Sequence, residues 1–322
     1  MVSYRSFSFE TSSLLRLSLL VMLLNGSKLY SQATHEHDHG HDHGHDHGHG
    51  HEHGPGCHRD HVQGVQERKV NVDGVDINYV RTGNGEHPIL LLPGGMGWSW
   101  YNFRPQIEGL DGEKFTIIAW DPPGYGKSRP PNRTFPLDFY SRDATWARNL
   151  MRTLGFEKFS PVGWSDGGIS AMILTANYPQ NVRKLISVSA NSYLSPEEIV
   201  EYRKIRNIDV LPDLLRTQLT DYYGEPYFRS MWADWIDFFD NIYRNKNGDL
   251  CLEALPKIKA PTLIIQGQND TGVPAFHPVY LRDHIQGAKM KIIPNATHPV
   301  QLEYPQEFNS VVTKFLTEGI VT

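Results

Sequence analysis

The amino-acid sequence predicts an α/β fold in which a doubly wound, mostly parallel sheet carries an inserted helical cap. Short, continuous apolar runs alternate with helix-like stretches along most of the chain, which is typical of parallel strands buried on both faces. The alternation stops between residues 192 and 255, where the sequence is helix-like and rich in aromatic residues, so we expect the cap there. A length of 322 residues is sufficient for one such domain with a terminal extension.

Residues 1–33 are typical of a targeting peptide. Two arginines precede a leucine-rich run at residues 17–24, which is too short to span a bilayer. The segment ends with Ser31-Gln32-Ala33, which has small residues at the positions that signal peptidases accept. We therefore expect a signal peptide, a secreted protein and no membrane span in the mature chain. A mitochondrial transit peptide is the alternative, since the segment is rich in serine and poor in acids.

A low-complexity tract covers residues 34–61 and is rich in histidine, glycine and acidic residues. Such a composition cannot bury apolar surface, so the tract is predicted to be disordered. Neutral imidazoles bind zinc, copper or nickel, which makes the tract a candidate segment for divalent metal ions without a fixed site. A solvated spacer that binds metal only because of its composition is the alternative. The alternating candidate ligands are His35, His37, His39, His41, His43, His45, His47, His49, His51 and His53.

Residues 67–318 are predicted to form the folded domain, with the cap at about residues 192–255. The domain begins with an alternating hairpin around Asp73-Gly74, a dipeptide that favours a tight turn between strands. Continuous apolar strands are then predicted at residues 89–92, 115–120, 185–188 and 263–265, with a short buried strand at residues 159–162 and a shorter last strand at residues 289–293. Helices are predicted at residues 140–154, 169–176 and 305–315.

Charge and cysteine content exclude several classes of function. The net charge of −5 does not suggest a nucleic-acid partner. Acidic residues are concentrated before residue 62, so the folded domain is nearly neutral, as suits an enzyme for small uncharged or weakly cationic substrates. The two cysteines, Cys57 and Cys251, cannot form a disulfide framework; at most they form one bridge in an oxidising compartment, and the sequence does not decide whether they pair.

The pentapeptide Gly163-Trp164-Ser165-Asp166-Gly167 is the strongest functional motif. It is a G-x-S-x-G sequence between a strand-like run and a helix-like run. A tight strand-to-helix turn lifts a serine hydroxyl out of its surroundings, and the glycines remove side chains that would clash in the turn. The motif therefore predicts that Ser165 is a nucleophile.

A serine nucleophile needs a base and an acid that orients the base. Asp270 lies in the loop after the strand predicted at residues 263–265, and His298 lies in the loop after the last predicted strand. The chain order Ser, Asp, His is that of α/β-hydrolases, so Ser165, Asp270 and His298 are the predicted catalytic triad. A triad of this kind hydrolyses an ester through an acyl-enzyme and needs no cofactor.

Asp166 is predicted to act through its backbone and through its side chain. Its amide and that of Gly95, in the glycine-rich loop after the first central strand, are the predicted oxyanion donors. A carboxylate buried beneath a cap is costly without a partner. Asp166 either binds a substrate ammonium group, which would select α-amino acid esters, or has an intramolecular partner such as an arginine or backbone amides. One or two aromatic residues of the cap are expected to line the substrate cavity.

These motifs resemble the biphenyl hydrolase-like serine hydrolases, also called valacyclovir hydrolases, over about residues 68–316. The resemblance is carried by residues 120–131, by the strand-to-helix turn around Ser165 at residues 163–169, hereafter the elbow, and by the loops that contain Asp270 and His298. It implies hydrolysis of α-amino acid esters, including amino acid ester prodrugs and homocysteine thiolactone. It assigns the triad to the three residues above and recognition of the substrate amino group to Asp166.

The chain departs from this family at two places. Pro123 stands where arginine is common, and residues 94–97 read Gly-Gly-Met-Gly where the family has bulkier side chains. Both departures bear on the shape of the acyl pocket rather than on the chemistry. The histidine tract lies outside the resemblance, and mitochondrial location is frequent in the family.

Two other functions stay open from the sequence. Hydrolases that cleave C–C bonds of dienone ring-fission products use the same triad but normally lack an acid beside the serine. Alternatively, the chain is a metal-binding or matrix protein whose histidine tract carries the function on a hydrolase-like scaffold. If the chain is secreted, we expect a glycan at Asn132 only, because glycans at Asn269 and Asn295 would obstruct the site.

Overall fold

The computed structural model describes residues 65–319 and residue 321. The predicted targeting peptide, the histidine tract and Cys57 lie outside the described residues. In the part of the chain that the structure describes, no helix has the length and apolar character needed to cross a membrane.

An eight-stranded sheet forms the centre of the domain. The strands are β1 (Gln66–Val72), β2 (Val75–Thr82), β3 (His87–Leu92), β4 (Phe115–Trp120), β5 (Ser160–Trp164), β6 (Leu185–Val188), β7 (Thr262–Gly267) and β8 (Lys289–Ile293). Their order across the sheet is β1-β2-β4-β3-β5-β6-β7-β8. Strand β2 pairs antiparallel with β1 and β4, and all other neighbours are parallel. The hairpin turn has φ values of 50° at Asp73 and 86° at Gly74, as a type I′ turn requires.

Helices cover both faces of the sheet. They are α1 (Ser99–Gly109), α2 (Phe139–Thr153), α3 (Asp166–Asn177), α4 (Pro196–Lys204), α5 (Asp213–Tyr223), α6 (Glu225–Lys246), α7 (Phe276–His284), α8 (Val300–Glu303) and α9 (Pro305–Glu318). On β3, Leu90 and Leu92 belong to the core formed with α2 and α3. Ile89 and Leu91 belong to the core formed with α1 and α9. Successive side chains of a strand point to opposite faces, so a strand covered on both sides must be apolar throughout. The predicted doubly wound sheet is confirmed.

Helices α4, α5 and α6 form the cap, which is inserted between β6 and β7. A capping box begins α4: Ser195 accepts the Glu198 amide, and the Glu198 side chain accepts the Ser195 amide. Apolar side chains of α5 and α6, such as Trp232, form a third core with Trp98 and Tyr125 from the loops after β3 and β4. The cap is therefore docked on the loops that follow the parallel strands.

The structure extends several elements beyond the predicted bounds. Strand β5 runs to Trp164 and α3 begins at Asp166, so Ser165 alone joins them. The sequence predicts this helix over residues 169–176, and the structure adds three residues at its start, two of which are glycines, which are poor helix formers. Helix α9 continues to Glu318 and ends where Gly319 adopts a φ of 72°.

Candidate active site

Ser165 occupies a sharp turn between β5 and α3. Its φ of 54° and ψ of −123° are unfavourable for a residue with a side chain, and such strain is typical of functional turns. The turn needs glycine on both sides: a Cβ on Gly163 would lie 2.1 Å from the Gly167 carbonyl oxygen, and one on Gly167 would lie 2.1 Å from that of Leu92. The Ser165 amide donates to the Val188 carbonyl at the end of β6, at 2.9 Å. The half-buried serine side chain is thus held at the edge where the parallel strands end.

Asp270 and His298 form a buried hydrogen-bonded pair in the loops after β7 and β8. His298 Nδ1 lies 2.9 Å from Asp270 Oδ2. Because an ionised carboxylate only accepts hydrogen bonds, Nδ1 carries the proton and Nε2 is left as the acceptor. Asp270 Oδ1 accepts the amides of Gly272 and Val273, each at 2.9 Å. Gln266 Nε2 donates to Oδ2 at 2.8 Å.

The loop that carries His298 is fixed to the elbow and to the following helix. The Trp164 indole donates to the His298 carbonyl at 2.9 Å, and the two rings lie 5.0 Å apart. Glu303 in α8 accepts from the Thr297 amide and hydroxyl, each at 2.6 Å. Trp164, which precedes Ser165 in the chain, therefore positions His298 directly.

The loop at residues 93–98, after β3, approaches the elbow from the other side. The Gly94 amide donates to Asn102 Oδ1 at 3.2 Å, and the Gly97 amide donates to the Gly94 carbonyl at 3.1 Å. Within residues 65–319, no hydrogen bond engages the amides of Gly95 or Asp166. Both residues line the cavity that contains Ser165, so both amides are uncommitted donors beside it.

Two neutral donors hold the Asp166 carboxylate. The Tyr140 hydroxyl in α2 donates to Oδ1 at 2.8 Å, and the Trp235 indole in α6 donates to Oδ2 at 2.8 Å. Burial raises the pKa of Asp166 to about 6, although both hydrogen bonds and the field of Arg133 oppose this rise. The intramolecular partners are therefore a tyrosine and a tryptophan, not the arginine or the backbone amides that the sequence suggested.

A buried cation in this region, Arg133, is committed to other groups. Its guanidinium forms an ion pair with Asp143, and the two side chains are 1% and 6% exposed. It also lies over the Tyr125 ring, 4.3 Å from the ring centre. Arg133 therefore influences Asp166 through its field but does not form an ion pair with it.

A cavity of about 50 Å³ lies between the turn at Ser165, the loops after β7 and β8, and the cap. Four aromatic residues of the cap line it, rather than the one or two expected from the sequence. No lysine or arginine is found among the described residues of its wall. The lining residues are Gly95, Trp164, Ser165, Asp166, Asn191, Tyr202, Ile205, Trp232, Trp235, Phe239, Gly272, Val273 and His298. The wall thus combines apolar rings with a single acidic side chain.

Sequence reasoning missed several of these residues. Gly272 and Val273 lie two and three residues after Asp270, so their place in the chain is a usable signal. Tyr140 carries no such signal, because it lies 26 residues from Asp166 on a helix whose facing side is known only from the fold. The same holds for Asn191, in the segment between β6 and the cap.

No metal centre lies in the part of the chain that the structure describes. Among residues 65–319, no group of three or more histidine, cysteine, aspartate or glutamate side chains could hold a metal ion. The candidate histidines at residues 35–53 lie outside the described residues, so metal binding by that tract stays a prediction.

The sheet, the serine turn and the loop-borne acid and histidine define an α/β hydrolase. A family model described as alpha/beta hydrolase fold matches residues 87–222. Serine hydrolase BPHL of Mus musculus is 42% identical over 252 residues, which cover 78% of this chain and 87% of that protein. Serine hydrolase BPHL of Homo sapiens is 40% identical over 252 residues, with the same coverage of 78% and 87%. The chain belongs to the BPHL family of serine hydrolases, as the resemblance of its motifs predicted.

More distant relatives share the fold. A 2-hydroxy-6-oxononadienedioate/2-hydroxy-6-oxononatrienedioate hydrolase of Burkholderia vietnamiensis is 28% identical over 295 residues, covering 80% of this chain and 97% of that protein. The solved structure of a meta-cleavage product hydrolase from Pseudomonas fluorescens has a TM-score of 0.64 and 23% identity, covering 79% of this chain and 98% of that one. This structural likeness concerns the fold alone.

Proposed function

We propose that this serine hydrolase cleaves small carboxylic esters whose acyl group is an α-amino acid. The observation that carries the proposal is the Asp166 carboxylate, which lines the same cavity as Ser165 and is 9% exposed. Burying an ionised carboxylate is costly unless something compensates for the lost water. Among the described residues it contacts only neutral donors, so its charge stays available to a cationic substrate.

The proposed mechanism assigns one role to each residue of the triad. Ser165 Oγ attacks the ester carbonyl while His298 Nε2 takes its proton, and Asp270 stabilises the cationic imidazole. The amides of Gly95 and Asp166 bind the negative oxygen that develops in the transition state. His298 then returns the proton to the leaving alcohol, and water hydrolyses the acyl-enzyme by the same steps. The hydrogen bond between His298 Nδ1 and Asp270 Oδ2 supports this assignment, because it leaves Nε2 as the acceptor.

The position of Asp166 favours an amino group on the α carbon. A Cβ on Gly95 would lie 3.0 Å from Asp166 Oδ2, so the carboxylate adjoins the proposed oxyanion loop. An ammonium group at Asp166 would therefore lie close to the carbonyl carbon under attack. Side-chain amines such as that of lysine are several bonds further away and fit this arrangement poorly.

The test compares two esters that differ only by the amino group, L-valine ethyl ester and ethyl 3-methylbutanoate. In Asp166→Asn we expect kcat/KM for the valine ester to fall about tenfold or more, since a charged hydrogen bond contributes about 1.5–3 kcal/mol. The rate for the amine-free ester should change less than threefold. Ser165→Ala should abolish both activities, with a loss on the order of 10⁶. Equal losses for both esters in Asp166→Asn would contradict amine recognition.

Cleavage of C–C bonds is the second candidate, because the Burkholderia relative is named for that substrate class. Its named substrates are dicarboxylates, which would place further negative charge beside Asp166. No arginine or lysine among the described wall residues would offset that repulsion. Turnover of such a dienone at a rate comparable to that of the valine ester would favour this candidate instead.

A further inference from the structure

The amine site of the proposed function is assembled from three separate elements. Asp166 begins α3, Tyr140 belongs to α2 of the core, and Trp235 belongs to α6 of the cap. Tyr140 is 3% exposed and reaches Asp166 from behind the cavity wall, whereas Trp235 is itself part of that wall. The two donors bind different oxygens of one carboxylate.

We propose that Trp235 and Tyr140 are positioning residues that determine selectivity for amine-bearing esters, by holding the Asp166 carboxylate ionised and fixed toward the cavity. This inference rests on the proposed function. A neutral donor lowers the cost of burying a carboxylate without cancelling its charge, whereas an arginine partner would cancel it. The donors therefore stabilise a buried anion that still attracts an ammonium group.

Trp235 makes this selectivity depend on the docked cap. Trp235 lies on α6 of the cap, so its indole reaches Asp166 when the cap is docked on the core. Its Cζ2 would lie 3.1 Å from a Cβ on Gly95. Trp235 thus abuts both the carboxylate and the proposed oxyanion loop. A cap displaced from the core would remove one of the two donors and leave Asp166 with Tyr140 alone.

The groups around Asp166 set the pH range in which this effect is visible. Burial raises the pKa of Asp166 to about 6, and the two donors oppose that rise. Burial also raises the pKa values of Tyr125, Tyr140 and Tyr202, so these hydroxyls stay neutral over the working range. Two other charged groups act through space, Arg133 and its partner Asp143, and His298 lines the same cavity.

The experiment measures kcat/KM for L-valine ethyl ester and for ethyl 3-methylbutanoate between pH 5 and pH 7, where the valine amine, with an ordinary pKa of about 7.7, is mostly protonated. The ratio of the two values removes pH effects on the catalytic steps that both esters share. In the wild type this ratio should fall with acid, with a midpoint near the Asp166 pKa of about 6. In Trp235→Phe the carboxylate loses a donor, so the midpoint should move to higher pH and the ratio at pH 6.5 should fall about tenfold.

Trp232→Phe is the matched control. Trp232 belongs to the same helix and lines the same cavity, but its indole donates to the Ile205 carbonyl at 2.6 Å. This variant should keep the wild-type midpoint even if both rates change. Tyr140→Phe removes the donor to the other oxygen and should move the midpoint in the same direction as Trp235→Phe, which keeps the test independent of the folding of one variant.

The outcomes separate this inference from the function on which it rests. Suppose that the wild type prefers the valine ester, so that its ratio of kcat/KM values is well above one, and that the pH midpoint of this ratio is unchanged in both Trp235→Phe and Tyr140→Phe. This result would overturn the positioning role and leave amine recognition intact. A wild-type ratio near one that Asp166→Asn does not alter would overturn the proposed function, and this inference with it. Upward shifts in both variants, without a shift in Trp232→Phe, support the positioning role.

Discussion

At Asp270, the four directions in which a carboxylate accepts hydrogen bonds are all occupied. Two backbone amides, of Gly272 and Val273, bind one oxygen, while Gln266 and His298 bind the other. The acid is therefore held rigidly, and so is the histidine ring that it orients. A proposed triad whose acid has no freedom to rotate should respond sharply to loss of the negative charge.

Replacing Asp270 with asparagine tests this proposal. The single remaining oxygen should stay with the two backbone amides, because an amide nitrogen placed there would meet two other donors. The new Nδ2 then faces His298 and donates to its Nδ1, which moves the ring proton to Nε2 and prevents it from accepting the Ser165 proton. We expect kcat to fall by ~10⁴ with little change in KM. Esterase assays measure this directly.

Thermal unfolding of Asp270→Asn is the control. The unfolding temperature should change little if the side chain at position 270 keeps its hydrogen bonds from the Gly272 and Val273 amides. Gln266 can accept from the new amide through its Oε1, which has no partner among the described residues. A loss in kcat below about tenfold would contradict the role given to Asp270.

The sequence could locate single residues whose loops are defined by the neighbouring strands. Asp270 and His298 were placed after strands, and the structure brings them within hydrogen-bond distance. The partners of Asp166 could not be located in this way. Trp235 lies 69 residues away on a helix of the cap, and which of its aromatic side chains reaches the core depends on how the cap docks. The alternation of apolar and polar residues carries no such information.

Tyrosines of the cap connect its helices to the loops after β3 and β4. At the end of α5, the Tyr223 hydroxyl donates to the Met96 carbonyl at 3.0 Å and accepts the Gly126 amide at 3.1 Å. Met96 has a φ of 59°, so its backbone is held in a conformation that side chains disfavour. The cap therefore helps to fix the loop that presents Gly95 to the proposed oxyanion.

Removing this tether in Tyr223→Phe should reduce kcat for valine and amine-free esters by the same factor. A hydrogen bond contributes about 0.5–1.5 kcal/mol, which corresponds to a loss of roughly 2- to 10-fold. The effect should appear in kcat rather than KM, because the oxyanion forms only in the transition state. Steady-state kinetics with both esters measures this.

Tyr227→Phe provides a comparison for this element. Its hydroxyl binds the Gly124 carbonyl and the Arg133 amide, each at 2.8 Å, and thus tethers the cap to the neighbouring loop instead. We expect a smaller loss of kcat in this variant. Equal losses in the two variants would mean that general attachment of the cap matters, rather than the Met96 contact.

Elements were predicted best where one pattern determines them. The continuous apolar runs located β3, β4, β6 and β7, because strands covered on both faces have no polar side. The bounds of α3 were less accurate, because Gly167 and Gly168 lower its helix propensity while the tight elbow requires glycine at this place. Function thus imposes residues that a helix alone would not favour.

Over the whole molecule, the folded chain keeps a carboxylate buried at a cost to its own stability. The pKa of Asp166 is about 6 in the folded chain, against an ordinary value of 3.8. Between these two values the folded state binds more protons than the unfolded state, so stability falls as pH rises through this range. Above pH 6 the ionised carboxylate should cost roughly 3 kcal/mol, at about 1.36 kcal/mol for each pH unit of the shift.

Asp166→Asn should therefore become more stable relative to the wild type as the pH rises. The asparagine amide does not titrate, and any mismatch between its NH₂ group and the Tyr140 and Trp235 donors adds a constant at every pH. The difference in unfolding free energy between the two proteins should thus grow by ~2 kcal/mol from pH 4.5 to pH 7.5, whatever its absolute sign, because part of the full effect is already present at pH 4.5. Urea unfolding at both pH values measures it. A difference that does not change with pH would mean that folding leaves the Asp166 carboxylate as well stabilised as water does. Its charge would then gain no extra stabilisation from a cationic substrate on account of burial.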